Sequence, residues 1–365
     1  MKPTTSQTLI TELQSFGVRL ADPIAGAPSR RGGAGPSDHK AMTVDGRTVM
    51  VPVHTAAAFA SPYVAERPGA DGTSVITRDG IAVGEVSFPF QPRFYALQTL
   101  DGIPYSKIAT LHGRDVLATT VLQTCIRYQS RTKSCQFCSI GQSLAAGRTI
   151  AEKSPAQLAE VARAAVLLDG VKHMVMTTGT PAGSDRGAAV LADCAFAVKA
   201  AVELPIQAQC EPPDDDAWFA RMKAAGVDAL GMHLEVVGED LRRQIMPGKA
   251  QVPVSRYLDA FRAAVPVFGR GQVSTYILAG LGDSKEEILE LSARLIEIGV
   301  YPFVVPFVPI SGTPLEDHPA PSPAFMRELL APLGAMLKAG GLRSSEIKAG
   351  CGKCGACSAL SAFEE

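Results

Sequence analysis

From residue 115 onward the chain alternates short apolar runs with longer stretches of helical periodicity, and it does so six times. The runs are VLATTVLQTC, HMVMTTG, PIQAQCE, ALGMHLE, VSTYILAG and PFVVPFVP; the helical patterns lie near 155–169, 187–203, 214–226, 255–267, 284–299 and 322–339. No other feature restricts the fold as strongly. A strand that is apolar on both faces must be covered on both, and right-handed strand-helix-strand crossovers cover it while making the sheet parallel. The expected class is therefore α/β, a partial (β/α)6 barrel of the TIM type over residues 115–340. Ser154-Pro155 and Ser322-Pro323 are helix starts, with the hydroxyl as cap and proline in the first turn. Functional groups in such folds gather where strands end. Cys125, Thr177 to Thr180, Gln209 to Glu211, His233 with Glu235, and Gly280 to Asp283 all fall at such ends.

The flanks read differently. Residues 1–114 form a small β-rich region after an amphipathic helix in which Leu9, Leu13 and Phe16 share a face. Asp45-Gly46 and Asp79-Gly80 each sit inside an alternating pattern and mark two hairpins. Between helix and hairpin, SRRGGAGPSDHK is too rich in Gly and Ser to be regular, and its Arg30, Arg31 and His39 suit a lid over the barrel mouth for an anionic substrate. Residues 341–365 are a cysteine-rich tail.

A formal charge of −1, from 35 basic against 36 acidic residues, provides no global field for nucleic acid or anionic lipid. No signal-like leader and no run of about 18 apolar residues is present, so a cytosolic protein without a membrane partner is expected. Eight cysteines there point to metal or redox chemistry and not to disulfides. They fall into Cys125, Cys135 and Cys138, then Cys351, Cys354 and Cys357, with Cys194 and Cys210 apart. Three thiolates in one loop hold either zinc with a fourth ligand, or three irons of a four-iron four-sulfur cluster with the last iron open to a ligand.

The residues around the first triplet resemble those of the radical S-adenosylmethionine (SAM) enzymes. CQFC matches the end of that family's signature, with Phe137 as the aromatic residue before the last cysteine. The family's first gap is normally three residues and here it is nine, a gap resembling that of the Elongator catalytic subunit. MTTGT at 176–180, MHLEVVGEDLRRQIMPGK, YILAGLGDSKEE and VPFVPISGTPLE follow in order and resemble strand motifs of lipoyl and biotin synthases. Along nearly its whole length the chain is similar to a narrower group, radical SAM proteins encoded beside nitrilases, through RRGGAGPSDHK, TVLQTCIRY, QAQCEPP, MHLE and CGKCGACSALS.

The resemblance implies a 4Fe-4S cluster on Cys125, Cys135 and Cys138 that binds SAM and cleaves it reductively. It places Thr177, Thr178, Gly179 and Thr180 at the SAM amino group, Glu235 at the ribose, Arg242 or Arg243 at the carboxylate, and Phe137, Ile277, Gly280 and Pro309 along the cofactor. A 5'-deoxyadenosyl radical would then abstract hydrogen from a small-molecule substrate, with flavodoxin or ferredoxin as reductant. Some relatives release a 3-amino-3-carboxypropyl radical instead.

The second triplet, CGKCGACS, is also a metal pattern whose glycines let the backbone wrap closely. An auxiliary iron-sulfur cluster is expected there, with a zinc knuckle as the alternative and Cys210, Ser358, substrate or water as fourth ligand. Cys210 and His233 are the candidate catalytic groups, each set against a plain core role. His173 and Cys194 are read as interior residues, and Asp214 to Asp216 as helix-start charges. A zinc-dependent barrel lyase or hydrolase using His233 and a non-catalytic metal sensor are the competing classes; neither accounts for CQFC together with the strand motifs.

Overall fold

The computed structural model describes residues 4–21, 38–130 and 132–365, so Arg30 and Arg31 of the expected lid lie outside the described residues. Two sheets organise the rest. The first holds β1 (Arg19–Leu20), β2 (His39–Val44), β3 (Arg47–Pro52), β4 (Tyr63–Ala65), β5 (Thr73–Arg78) and β6 (Ile81–Ser87), ordered β1-β4-β5-β6-β2-β3. Both expected hairpins form. Asp45 and Gly46 take φ of 47° and 78°, Asp79 and Gly80 take 50° and 82°, left-handed pairs whose twist matches the flanking strands.

The second sheet holds β7 (Thr110–His112), β8 (Val116–Thr120), β9 (His173–Thr177), β10 (Ile206–Gln209), β11 (Ala229–Gly231), β12 (Val273–Ala279) and β13 (Val300–Pro306). Strands β8 to β13 pair in parallel in sequence order, so the sheet curls as a partial barrel with β7 and β13 at its edges. Helices Pro155–Asp169, Ala188–Ala201, Ala217–Ala224, Val254–Phe268, Lys285–Ile298 and Pro323–Ala339 follow the strands. Their starts have local causes. Ser154 and Ser284 make reciprocal capping boxes with Gln157 and Glu287, and Ser322 accepts from the Phe325 N–H. Every residue of β8, β10 and β13 is buried, as expected for strands covered on both faces.

Three features differ from the sequence reading. The barrel sheet begins at Thr110, because β7 adds antiparallel to β8 with His112 opposite Val116; a three-residue strand leaves no periodicity to detect. The N-terminal region also packs against the tail. Gln7 Nε2 and Gln14 Nε2 donate to the carbonyls of Ala362 and Ala356 at 2.8 and 3.2 Å, and the Met50 N–H reaches Ala356 O at 2.7 Å. His39, expected in a lid, is a buried residue that opens β2. Among the described residues no helix is long and apolar enough to cross a membrane.

Candidate radical and metal site

The chain leaving β8 carries the first triplet, and two neighbouring segments grip it. On one side, Val121 N–H donates to Thr177 O at 2.8 Å, Gly179 N–H to Leu122 O at 2.8 Å and Ile126 N–H to Thr180 O at 3.0 Å. A Cβ on Gly179 would lie 2.1 Å from the Thr124 carbonyl oxygen, so only glycine lets the two backbones meet. On the other side, Gln136 N–H donates to Ile245 O at 2.8 Å and Gly248 N–H to Lys133 O at 3.1 Å. A Cβ on Gly248 would come within 2.5 Å of that same oxygen. The nine-residue gap has structure of its own. Tyr128 and Gln129 N–H groups turn back on Cys125 O at 3.1 and 3.3 Å, and Cys138 N–H closes on Cys135 O at 3.1 Å.

The three thiols share one neighbourhood. Burial pushes Cys138 up to about 12, and Cys125 and Glu235 add to that while Lys249 opposes it. Cys135 is driven well above the usual thiol range by burial, then by Glu235, Cys138 and Cys125. Thiols crowded this way stay protonated until a cation takes the charge, which is the condition of metal ligands. Phe137 and Cys135 pack against Val236, Met246, Leu281 and Phe307.

Glu235 is the strained residue of the rim. Its φ is 64°, a left-handed conformation uncommon outside glycine and frequent at functional sites. The Glu235 N–H donates to Tyr276 O and its carbonyl accepts from Leu278 N–H, both at 2.8 Å. Its carboxylate meets Lys249 Nζ at 2.6 Å. Burial is the largest single influence and pulls the Lys249 ammonium down, but Glu235, Tyr257, Glu211 and Cys135 together outweigh it and raise it. Nearby, Arg127 forks onto Glu211 at 2.9 and 2.6 Å, and Thr180 Oγ1 donates to Glu211 Oε1 at 2.9 Å. The buried Tyr257 hydroxyl has no hydrogen-bond partner among the described residues, and burial together with the Glu211 and Glu235 charges raises its pKa against Lys249.

Several expected residues are placed otherwise. Arg242 is fully buried, donating to the carbonyls of Leu234, Val236 and Val252 at 2.6, 3.0 and 3.1 Å, so its guanidinium clamps the rim backbone, with Nε 3.9 Å from the Glu239 carboxylate. Arg243 is 63% exposed and pairs with Asp240 on the outer surface. Lys249 and Arg127 are the cations at the rim; both stand in segments already singled out, but a single charge inside a motif carried no signal of direction. Cys210 lies on the strand face opposite Gln209 and Glu211, buried in the core, with its thiol pushed up to about 12 by burial. Ile277 is buried and bridges to Glu235; Gly280 has φ of 104° and packs on Pro321; Pro309 is buried. Asp214 and Asp216 pair with Arg186 and Arg256, while Asp215 accepts from the Ala217 N–H.

The tail meets the sheet at its opposite end, where the strands start. Gly350 N–H donates to His173 Nδ1 at 3.2 Å, and Cys351 N–H to Gln207 Oε1 at 3.1 Å. Gln209 Nε2 reaches Cys351 Sγ at 3.2 Å, and His112 Nε2 stands 3.8 Å from Cys357 Sγ. The Tyr276 hydroxyl is raised by burial and by the thiols of Cys357 and Cys351. Between the ends lies His233, whose Nδ1 accepts from the Tyr276 N–H at 3.2 Å and whose ring meets Tyr276 edge-on. Burial and Lys249 lower His233 to about 3. Its Nε2 therefore carries the proton. Cys194 is buried in the Ala188–Ala201 helix.

A four-iron cube suits this donor set. Such a cube would place each of the three thiolates on a different iron. The glycine-gripped loop and the orphaned Tyr257 hydroxyl leave the rim in want of a ligand.

Comparison with known proteins agrees. The radical SAM superfamily profile matches residues 132–295, which include Cys135 and Cys138. A bacteriochlorophyllide c C-7(1)-hydroxylase of Chlorobaculum limnaeum is 34% identical over 128 residues, 34% of this chain and 32% of that protein. A probable dual-specificity RNA methyltransferase RlmN of Moorella thermoacetica is 26% identical over 125 residues, 34% of this chain and 35% of that protein. The match thus spans about a third of the length of these curated relatives. The crystal structure of methylornithine synthase (PylB) aligns over 74% of this chain and 81% of that one, with 17% identity and a TM-score of 0.49. The chain thus carries a radical SAM superfamily domain over residues 132–295.

Proposed function

We propose that this enzyme holds its SAM-binding 4Fe-4S cluster on Cys125, Cys135 and Cys138 and acts on a small molecule inside the barrel, between the cysteine loop and the tail. The observation that carries this reading is the grip of the Gly179 and Gly248 segments on the cysteine loop, with the Glu235–Lys249 pair beside it. A 4Fe-4S cluster held by Cys125, Cys135 and Cys138 would supply the electron for reductive C–S cleavage of bound SAM, the chemistry by which such groups start hydrogen abstraction.

The protein's part is orientation and exclusion of water. Thr177 to Thr180 and Glu235 line the rim for the polar groups of SAM, and Lys249 replaces the expected arginines as the cation nearest its carboxylate. Phe137, Ile277, Gly280 and Pro309 provide the apolar wall. Neutral His233, with Nε2–H as donor, orients substrate together with Gln209. Its depressed pKa makes it a poor general acid near neutral pH. Cys351, Cys354 and Cys357 of the tail would hold a second iron-sulfur cluster. A reduced flavodoxin or ferredoxin is the electron donor.

Anaerobic incubation of dithionite-reduced enzyme with SAM, read by mass spectrometry, tests this. 5'-Deoxyadenosine is expected from the wild type and none from Cys135→Ala. A 3-amino-3-carboxypropyl product would move the enzyme to the alternative radical class, and undiminished cleavage by Cys135→Ala would remove the assigned site.

A further inference from the structure

The cysteine loop leaves the sheet and returns to it through one narrow neck. At its base Gln123 N–H donates to Ala151 O at 2.8 Å and Lys153 N–H to Val121 O at 3.0 Å, with Leu122 bridged to Glu152. Residues 124–150, which carry Cys125, Cys135 and Cys138, lie beyond that crossing. The neck is also tied from within. Gln123 Nε2 donates to Ile140 O at 3.0 Å and to Ser143 Oγ at 3.1 Å, so a side chain just before Cys125 holds the short helix Ile140–Ala145 that follows Cys138.

Lys153 stands under this neck. Its side chain is buried, and its ammonium donates to Thr120 O, the last carbonyl of β8, at 2.6 Å and to Gln123 Oε1 at 3.4 Å. Neither partner is charged. The buried cations of the rim differ, since Lys249 faces Glu235 and Arg127 faces Glu211; burial alone acts on Lys153 and lowers it to about 7. Lys153 also directly precedes Ser154, the cap of the helix Pro155–Asp169, whose positive end disfavours a cation. A buried ammonium without a carboxylate costs stability, and a well-packed neutral side chain costs less. What the ammonium adds is a grip on the strand end and, through Gln123, on both ends of the cysteine segment.

We propose that Lys153 is a positioning residue for the SAM-binding site: by holding Thr120 O and Gln123 Oε1 together, it fixes where the chain leaves β8 toward Cys125 and where it returns after Cys138. The proposal rests on the reading of the first triplet as the SAM-binding cluster. Lys153 acts through Gln123 and takes no part in the chemistry. Residues 121–123 run between two supports, the 177–179 segment on one side and the 151–153 segment on the other. Gly179 sets the first by close approach, and Lys153 sets the second by charge.

The test uses the full-length protein, reconstituted anaerobically with iron and sulfide. Thermal melting reads its stability, metal analysis its iron, and a SAM titration followed by electron paramagnetic resonance of the dithionite-reduced protein reads its affinity for SAM. Lys153→Met should melt within a few degrees of wild type, keep its iron and bind SAM about tenfold more weakly, less than the roughly hundredfold that a 1 Å misplacement at a reacting centre can cost. Gln123→Met should weaken SAM binding likewise, and the double variant should bind no more weakly than the weaker single one, because both act through one chain of bonds. Wild-type affinity in Lys153→Met overturns the proposal, as do additive losses in the double variant. A weakening matched by a lower melting temperature and lost iron also overturns it, because a plain structural residue would produce all three together. If Lys153→Met fails to fold, Gln123→Met decides by the same readings. A wild-type spectrum indifferent to SAM removes the cluster reading itself, whatever either variant does.

Discussion

A methyl group at position 179 would stand 2.1 Å from one backbone oxygen and 2.8 Å from the carbon that bears it. Neither atom belongs to a flexible side chain, so Gly179→Ala must push the cysteine loop away from the 177–180 segment. The expected outcome is loss of SAM cleavage by about tenfold or more, the scale of a misplacement near 1 Å at a reacting centre, with the tail centre's iron retained; normal turnover would contradict the grip described here. His233 makes a different prediction. Its folded pKa of about 3 lies below the ordinary 6.5, so the unfolded chain binds more protons in between. The stability it confers is full above about pH 6.5 and falls as pH drops toward 3, by at most about 1.4 kcal/mol per unit. Urea midpoints of metal-free protein at about pH 7 and about pH 5 should therefore differ less in His233→Gln than in wild type. An equal slope in both would show that His233 is not held neutral.

At the level of elements, the helix Glu239–Ile245 is tied to the rim from beneath by Arg242, which supplies three hydrogen bonds to carbonyls that have left regular pairing. Arg242→Ala would strand buried carbonyls and a cavity, at a cost of about 3 kcal/mol or more. Arg243→Ala should cost less than about 0.5 kcal/mol and leave the KM for SAM unchanged. Chemical denaturation and a SAM titration check both, and a rise in KM for Arg243→Ala would restore that residue to the cofactor site. The contrast shows what the sequence could convey. Alternation of apolar runs and capped helices located six strands and six helices, because burial on both faces and Ser caps act over a few residues. Where a side chain ends up within its element was less legible. Arg242 and Arg243 are adjacent, and only the roll of one helical turn sends the first inward and the second to solvent. Cys210 read as a rim residue because it follows a strand, and it is buried there in the core. β7 escaped notice because three residues hold no period.

Seen as a whole, the molecule sets two cysteine triplets at opposite ends of one curled sheet. The first is gripped by loops at the ends where strands finish, beside a strained Glu235 and a buried cation. The second is plugged into the ends where strands begin, backed by the N-terminal helix and β3 through Ala356 and Ala362. Under the proposed function, substrate would lie between the two triplets. The central claim is that SAM meets only the first. Electron paramagnetic resonance of dithionite-reduced full-length enzyme, recorded with and without SAM, tests it directly. The account predicts that SAM shifts part of the spectrum in the wild type and in Cys354→Ala, and shifts nothing in Cys135→Ala, which keeps only the unresponsive signal. An iron-loaded wild type whose spectrum ignores SAM, or a Cys135→Ala protein whose spectrum still responds, would contradict it.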